Sequence, residues 1–540
     1  MNKKFFRLEI GVCTICLGMA LIVLAGCEGK SKVSTATSTE GLFNETGFPI
    51  VNQPYTLKAI SSKHEKTQDF NSLQLFQELE KKTGVHIEWE YTPQGSDWNT
   101  QKPLVLASGQ LPDIFFARTT LVESDVLSNL GLFVPLDPLI EKYGENLKRI
   151  FAADPSIKSF VTAYDGHIYG LPQKMPRRPR AYSLNGINQA WLDKLGLEMP
   201  TTTDEFYNVL KAFKTRDPNG NGIADEIPWS FQAFNDLAGC TDFFGAFGIA
   251  ESLGETWLSV TNGKVQYIAA QDGFQDAIAW LNKLYAEQLI DQEAFTMDWG
   301  MWAAKCDPPA GTPDIVGVAP HWSRDLAFGL TRYEHYSLLM PLKGPKGYQY
   351  WRHNNEFVQS AKYTLEITTS TQHPEIALRW ADALYDELVS LQMYYGAVGE
   401  VLEVKDDGSF FVKLPPEGLD NDTWRWGRQM NDFSPCYVSD ARSAMGEDPL
   451  FDAQVIDKAL FTPYFAKEYY PPAALTPDEA GELAILRTDI HNYAREQASL
   501  WVVNGGVERE YAAFVQQLNT MGLPRMVEIY QNAYNRYMGK

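Results

Sequence analysis

The sequence Tyr55-Thr-Leu-Lys-Ala-Ile60 is followed by the segment from Asn71 to Thr83 and then by Val85-His-Ile-Glu-Trp-Glu-Tyr91. The two outer pieces alternate apolar and polar residues, as half-buried strands do. The middle piece places its leucine and phenylalanine residues at helical spacing, and Gly84 follows it as a C-cap. This strand–helix–strand order predicts an α/β fold.

The same alternation continues along the chain. A helix is predicted from Pro103 to Ser108 and a buried strand from Leu111 to Phe116, and the last 55 residues contain two strong helical segments, Leu486 to Val503 and Tyr511 to Met521. No segment repeats with a period of 20–50 residues, which excludes solenoids and propellers.

Length and composition narrow the class of protein. A chain of 540 residues, 44% hydrophobic and 21% charged, has ordinary globular composition and is long enough for two or three packed units. Its formal net charge of −21 disfavours nucleic acid as a partner, since phosphate binding needs a basic face. The 14 Trp and 26 Tyr exceed what a core requires. Such a surplus often lines a surface that binds ring-shaped ligands, although large proteins also bury many of these residues.

The N-terminus predicts export. Lys3, Lys4 and Arg7 precede an apolar run that ends Leu24-Ala-Gly-Cys27, which has the length of a signal-peptide core and resembles a bacterial lipobox. We expect residues 1–26 to be a signal peptide, and residues 27–49 to be a flexible tether carrying lipid (palmitate) on Cys27. The protein would then lie at the extracellular face of the cell membrane. An uncleaved anchor is the alternative.

Three further cysteines, Cys240, Cys306 and Cys436, are far apart and lack C-x-x-C spacing. Buried thiols are the favoured interpretation, although a bridge between one pair stays open.

The segment Asp217-Pro-Asn-Gly-Asn-Gly-Ile-Ala-Asp-Glu226 predicts a structural Ca²⁺ site. Oxygen side chains occupy positions one, three and five of an EF-hand-like loop, and a glycine occupies position six. Pro228 replaces the usual Glu at position twelve, and Glu226 can take its place. The predicted ligands are Asp217, Asn219, Asn221, the carbonyl of Ile223, Asp225 and Glu226. The alternative is a polar turn without metal.

Catalytic motifs are absent from the sequence: there is no His-Glu-x-x-His, Gly-x-Ser-x-Gly or Gly-x-Gly-x-x-Gly. We therefore assign no catalytic residue. Because paired carboxylates are abundant, a surface-anchored carbohydrate-active enzyme, either a hydrolase or a lyase, remains the alternative to a binding protein.

Five segments, in this order, resemble the extracellular solute-binding proteins (family 1 type) of bacterial ABC importers, in particular the alginate-oligosaccharide-binding lipoproteins. They are Asp165 to Pro172, Trp191 to Phe206, Thr364 to Trp380, Tyr395 to Glu400 and Gly522 to Tyr534.

The resemblance implies a two-lobed periplasmic-binding-protein-like fold (type II), with discontinuous lobes joined by crossing strands near Leu171 and Leu365. The N-terminal lobe would comprise residues 50–172 and 362–400, and the C-terminal lobe residues 173–361 and 401–540. A monomer would capture an oligosaccharide in the cleft and deliver it to ABC-transporter permease subunits.

Ligand-binding candidates are aromatic and cationic residues near the ends of strands, because sugar rings stack on aromatic faces and their polar groups bind arginine. They are Phe116, Arg118, Trp229, Trp322, Arg324, Trp351, Arg352 and Tyr395, with Trp299 and Trp302 as secondary candidates. For each Trp, packing in a core is the alternative.

Overall fold

The computed structural model describes residues 41–93, 96–176, 179–235, 237–253, 257–329, 331–354, 359–419 and 421–539. Cys27 and the predicted signal peptide lie outside these residues. Within the described ranges, no helix is long and apolar enough to cross a membrane.

The first sheet contains the strands that the opening sequence predicts. Its strand order is Leu365–Ile367, Ile114–Phe116, Tyr55–Ser61, Val85–Tyr91. The last three strands run parallel, and the first is antiparallel to its neighbour. The helix Gln74–Thr83 connects two of the parallel strands and ends at Gly84, which has the left-handed φ of 76° that favours glycine.

Two predicted boundaries shift in this region. The helix expected at Pro103 begins earlier and spans Ser96–Ala107, so that Pro103 lies inside it and not at its start. The strand expected from Leu111 is shorter and spans Ile114–Phe116. The Asp113 carboxylate accepts the Lys58 N–H at 2.8 Å, so a side chain replaces the backbone pairing where the strand would have begun.

A second and a third sheet lie in the middle of the chain. The second has the order Tyr336–Leu339, Leu184–Asn188, Val316–His321, Ile227–Trp229, and its last two strands are parallel. The third has the order His353–Asn354, Glu251–Leu253, Leu258–Thr261, Lys264–Tyr267. Two small sheets pair Gln173–Lys174 with Ser360–Ala361, and Phe410–Val412 with Leu402–Val404 and Gly446–Glu447.

Helices cover the sheets and form the C-terminal region. Besides those already given they are Glu123–Leu127, Asp137–Tyr143, Glu145–Ala153, Pro155–Val161, Gln189–Leu195, Thr203–Thr215, Asp272–Ala286, Trp299–Cys306, Arg324–Phe328, Pro374–Ala383, Glu387–Tyr395, Asn421–Trp426, Asp440–Ala444, Pro449–Ala459, Pro477–Asn504, Val507–Thr520 and Leu523–Tyr537. The last three include both of the predicted C-terminal helical segments. The α/β fold class is therefore confirmed.

Two large apolar cores hold these elements together. The first core draws on residues between Ile50 and Met175 and between Leu365 and Val438. The second core draws on residues between Ile187 and Leu342 and between Tyr470 and Tyr534. Residues 401–438, which we expected in the C-terminal lobe, contribute Val401, Phe410 and Cys436 to the first core.

Two segments connect the elements around the first core with those around the second core, and these segments lie side by side. The Leu171 N–H donates to the Leu365 carbonyl at 2.9 Å, and the Thr364 N–H donates to the Leu171 carbonyl at 3.2 Å. Just beyond, Gln173–Lys174 pairs antiparallel with Ser360–Ala361. The two segments predicted to cross between lobes therefore form one hydrogen-bonded ribbon.

Candidate functional site

A cavity of about 560 Å³ is lined by residues from the elements around the first core and from those around the second core. Arg118 and Thr119 follow the strand Ile114–Phe116 of the first sheet, and Trp322 follows the strand Val316–His321 of the second. Ligands of open α/β sheets bind beyond the carboxyl ends of strands, which is where this cavity lies.

The turn that carries Arg118 has an unusual backbone. Ala117 and Thr119 on either side have φ values of 73° and 80°, in the left-handed region that non-glycine residues rarely adopt. The turn is held by the Arg118 N–H, which donates to the Phe433 carbonyl at 3.0 Å, and by the Ser62 hydroxyl, which donates to the Arg118 carbonyl at 3.0 Å. Strained residues fixed in this way cluster at functional sites.

Two tryptophans of one short helix form part of the wall. The helix Trp299–Cys306 is capped by Asp298, whose side chain accepts the Met301 N–H at 2.8 Å. Trp299 is 48% exposed and Trp302 is buried, with ring centroids 4.9 Å apart. An exposed indole beside a cavity offers an apolar face to a ligand.

Trp322 is held in place by Lys458 and Tyr182. The Lys458 ammonium lies 3.1 Å from the centroid of the Trp322 ring and donates to the Tyr182 carbonyl at 2.9 Å. The Tyr182 ring meets Trp322 edge-on at 5.2 Å. These contacts fix the indole, which lines the cavity, as a preformed surface.

A further aromatic wall comes from the second stretch of the first core, between Leu365 and Val438. Trp426 stacks on His64, with ring centroids 4.1 Å apart, and its ring meets Phe433 edge-on at 5.8 Å. Trp426 and Phe433 both line the cavity. The cavity thus has aromatic faces from two separate parts of the chain.

Several polar atoms in the lining have no hydrogen-bond partner among the residues that the structure describes. They are Trp302 Nε1, both ring nitrogens of His321, Ser323 Oγ, Asn431 Oδ1 and Gln454 Oε1. A buried polar group without a partner is costly, so such atoms are usually satisfied by ligand or water. Their concentration in the residues around one cavity favours a polar ligand or ordered water there.

His321 is neutral in this environment. Its side chain is only 2% exposed. Burial, with lesser contributions from the Lys458 and Arg324 cations, lowers the pKa of His321 to about 3. A neutral imidazole presents one donor and one acceptor, which suits a hydroxyl group.

Among the predicted ligand-binding residues, the cavity lining contains Arg118 and Trp322, together with both secondary candidates. Arg324 follows Trp322 closely but turns to the Tyr336 carbonyl, at 3.1 Å, and to Asp457, at 3.5 Å. It is outside the lining.

The other five candidates are buried away from the cavity. Phe116 packs against Phe70 and Trp380 in the first core, and Tyr395 packs against Phe410. Trp229 is 0% exposed in the second core.

Trp351 and Arg352 are enclosed by polar as well as apolar contacts. Trp351 donates its indole N–H to the Ser183 carbonyl at 3.1 Å, and Arg352 forms an ion pair with Asp242. Side chains so enclosed present no face to a ligand in this structure.

Sequence reasoning missed His321, Ser323 and the lining segment between Arg425 and Phe433. His321 and Ser323 flank the predicted Trp322 in the sequence His321-Trp-Ser-Arg324. Their position at the end of a strand was the signal that could have identified them. The segment from Arg425 to Phe433 begins within the sequence Trp424-Arg-Trp426. This local concentration of aromatic and cationic residues was the signal that could have identified the segment.

The loop from Asp217 to Glu226 is held by side chains that bind its own backbone. The Asp217 carboxylate accepts the N–H groups of Gly220, at 2.9 Å, and Gly222, at 3.1 Å. The amide oxygens of Asn219 and Asn221 accept backbone N–H groups two residues on, at 3.0 and 2.7 Å. Their amide nitrogens donate to the Asp225 carboxylate at 2.9 and 3.0 Å.

Glu226 is the exceptional residue of this loop. It is 3% exposed, and its Oε1 atom has no hydrogen-bond partner in the described chain. Burial raises the pKa of Glu226, and the Asp225 and Asp217 carboxylates raise it further. The Ile223 carbonyl, a predicted ligand, accepts the Asp225 N–H at 2.9 Å.

No group of three or more His, Cys, Asp or Glu side chains in the described residues is gathered to hold a metal. The loop relies on amide and carbonyl oxygens as well. All the atoms that the loop could offer to a metal are oxygens. The Oε1 atom of the Glu226 carboxylate lacks a partner among the described residues, and this carboxylate lies near those of Asp217 and Asp225. A hard cation would offset the repulsion between these carboxylates and bind their oxygens. The residues present therefore fit Ca²⁺.

Cys240, Cys306 and Cys436 are free and buried, which agrees with the favoured interpretation of three buried thiols.

The profile of the bacterial extracellular solute-binding protein family matches residues 66–387, more than half of the chain. The chain belongs to this family. Membership confirms the predicted resemblance and supports the binding protein over the enzyme alternative.

A relative from Streptococcus pneumoniae serotype 4, the fructooligosaccharide ABC transporter substrate-binding protein FusA, is 32% identical over 542 residues, covering 97% of each chain. Its structure in complex with kestose is 31% identical and has a TM-score of 0.81, covering 90% of this chain and 99% of that chain. An EF-hand mutant of FusA in complex with fructo-nystose gives 30% identity and a TM-score of 0.80, with the same coverage.

The alginate-binding protein AlgQ2, solved without calcium ion, is 21% identical with a TM-score of 0.70, covering 91% of this chain and 100% of that chain. At this identity the likeness shows the fold alone, which is the solute-binding fold that the sequence predicts.

Proposed function

We propose that this protein captures an oligosaccharide in the cavity and delivers it to the permease subunits of an ABC importer. The observation that carries the proposal is one cavity that combines indole faces with buried polar atoms lacking partners. Sugar rings offer apolar C–H faces to the indoles and hydroxyl groups to the polar atoms. The relative FusA, solved with kestose, supports this ligand class.

Capture would proceed by closure of two lobes about the ribbon formed near Leu171 and Leu365. The first lobe would comprise residues 50–172 with 362–438, since core membership extends it beyond residue 400. The remaining residues after 172 would form the second lobe of a monomer. Closure gives the importer a shape to recognise, which links binding to delivery through a population shift.

A thermal-shift screen against neutral and acidic oligosaccharides tests this proposal. A binding sugar should raise the melting temperature, be recovered chemically unchanged, and make the scattering profile more compact. Cleavage of the sugar by pure protein would favour the enzyme alternative. An unchanged profile at saturation would contradict lobe closure, and a screen without any binding sugar would contradict the ligand class.

We further propose that lipid on Cys27 holds the protein at the extracellular face of the membrane. The support is the Leu24-Ala-Gly-Cys27 sequence after the apolar run. Cys27→Ala should release the chain into the soluble fraction or leave the signal uncleaved, as fractionation and mass measurement would show. Cys16→Ala, within the apolar run, is the matched control and should be processed normally. Normal processing and membrane retention of Cys27→Ala would contradict the anchor.

We also propose that the loop from Asp217 to Glu226 binds a structural Ca²⁺. Asp217, Asn219, Asn221, Ile223, Asp225 and Glu226 would supply the oxygen ligands. The unpartnered Glu226 oxygen supports this, as does the naming of a FusA EF-hand mutant, which places an EF-hand in that relative. The ion would stabilise the loop and take no part in ligand chemistry.

A further inference from the structure

The polar atoms of the cavity have a chemical bias. Asn431 Oδ1 and Gln454 Oε1 only accept hydrogen bonds, and neither has a partner among the described residues. Ser323 Oγ and the His321 ring can each both donate and accept. Trp302 Nε1, which only donates, also lacks a partner among the described residues. A ligand that satisfies the whole set must therefore both donate and accept hydrogen bonds, as hydroxyl groups do. A carboxylate, which only accepts, leaves the two acceptors unpaired.

The charged side chains of the lining, Arg118 and Arg425 against Asp325, Asp432 and Asp448, carry a net charge of −1. Arg425 forms an ion pair with Asp448, so these two charges cancel each other. Asp325, in the first turn of the helix Arg324–Phe328, lines the cavity and makes no hydrogen bond or ion pair to another described residue. An unpaired carboxylate repels an anionic ligand and accepts hydrogen bonds from hydroxyl groups.

His321 adds no positive charge. Its pKa lies well below neutrality because of burial and, to a lesser degree, the Lys458 and Arg324 cations. Those two cations are already engaged, Lys458 on the Trp322 ring and Arg324 with Asp457. An acidic sugar would therefore meet an unpaired carboxylate and a neutral imidazole at this wall.

We propose that the cavity selects uncharged oligosaccharides over uronate oligosaccharides, with Asp325 and His321 as specificity-determining residues. This inference rests on the proposed function, since it assumes that the ligand is a sugar and names its class. Asp325 contributes charge repulsion, and His321 contributes a neutral donor–acceptor pair.

Calorimetric titration of the wild-type protein with kestose, raffinose, maltotriose and trigalacturonate tests the selectivity. At least one neutral trisaccharide should bind at least about tenfold more tightly than trigalacturonate. Equal or tighter binding of trigalacturonate would overturn this inference while leaving the proposed function standing. If none of the four sugars bound and the thermal-shift screen found no other binding sugar, the proposed function would be contradicted as well. If that screen found only acidic oligosaccharides that bind, the inference alone would be overturned.

Variants assign the selectivity to residues. Asp325→Lys should tighten trigalacturonate binding by about tenfold or more, because an attraction replaces a repulsion. Asp325→Asn should give a smaller gain in the same direction. Asp406→Lys is the matched control, since Asp406 is exposed and outside the cavity lining, and it should leave the preference unchanged. Melting temperatures verify folding of all three variants.

If both Asp325 variants folded and kept the wild-type preference, Asp325 would not determine specificity. For the imidazole, His321→Gln keeps a neutral donor and acceptor and should retain the preference for a neutral sugar. His321→Leu should weaken neutral-sugar binding by at least about fivefold. Unchanged binding by a folded His321→Leu variant would overturn the role of His321.

Discussion

Trp229 and Trp322 belong to adjacent parallel strands of one sheet and have opposite roles. Trp229 is the last residue of its strand, lies opposite Val318, and packs among Phe206, Phe231 and Phe243. Trp322 is the first residue after its strand and lines the cavity. The difference teaches that position relative to the strand end, and not residue type, decides whether each of these tryptophans is enclosed in the core or lines the cavity.

The largest expected effect is on stability at the core position. Trp229→Ala should lower the free energy of unfolding by about 3–5 kcal/mol, because a large buried ring is replaced by a cavity. Denaturant titration measures this loss, and Trp229→Phe should lose less. The fraction that stays folded should bind sugar as the wild type does. Weaker binding with unchanged stability would reverse the assignment of the two tryptophans.

The next effect concerns the loop from Asp217 to Glu226, proposed to bind Ca²⁺, which leads directly into the strand of Trp229. Removing Ca²⁺ with EGTA should lower the melting temperature, since an ion at a hundred times its dissociation constant adds about 2.7 kcal/mol. Asp225→Ala should abolish the sensitivity, whereas Asp406→Ala, at an exposed carboxylate elsewhere, should retain it. Identical melting with and without EGTA would contradict the calcium site.

At Trp322, which lines the cavity, substitution should chiefly weaken sugar binding. Trp322→Ala should weaken sugar binding by about 1–3 kcal/mol, a tenfold to hundredfold loss, because an indole face for stacking is removed. Titration calorimetry measures the loss, and denaturant titration should show a smaller fall in stability than Trp229→Ala causes. A larger fall in stability than in affinity would mean that both rings are structural.

The smallest expected effect, taken per pH unit, is the pH dependence of stability contributed by His321. The unfolded state takes up a proton near pH 6.5, while the folded state holds this imidazole neutral down to a pKa of about 3. Between those values the unfolded state binds more protons, so stability falls with falling pH, by at most about 1.4 kcal/mol per pH unit.

Two other histidines contribute in the same direction, since burial lowers the pKa of His353 and of His491 to about 4. The difference between the wild type and His321→Gln therefore isolates His321. Unfolding titrations from pH 7 to pH 5 should show a shallower loss in the variant. Parallel profiles would mean that His321 is protonated in the folded protein.

The fold was more predictable than the site. Regular alternation gave the strands Tyr55–Ser61 and Val85–Tyr91 directly, because one face of each is buried. The start of the helix Ser96–Ala107 was missed, since Pro103 favours a first turn in isolation and tertiary packing overrode that preference.

At the cavity, Arg118 and Trp322 could be predicted as lining residues because each lies within two residues of the end of a strand. Trp351 and Arg352 could not be excluded, because their enclosure depends on Ser183 and Asp242, far away in sequence. Asn431 lies five residues beyond the Trp424-Arg-Trp426 sequence, and no comparable sequence marks Gln454. Both line the cavity only because the fold brings their segments together.

Each core is assembled from two stretches separated by a long insertion. The first needs residues up to Val438 to complete what Ile50 begins, and the second needs residues up to Tyr534. As the chain is synthesised from its N-terminus, neither core can be finished until most of it has been made. Contacts across such sequence separations form slowly because the closure entropy must be paid first. We therefore expect the joining of the distant halves of each core to limit the rate of folding more than local helix formation does.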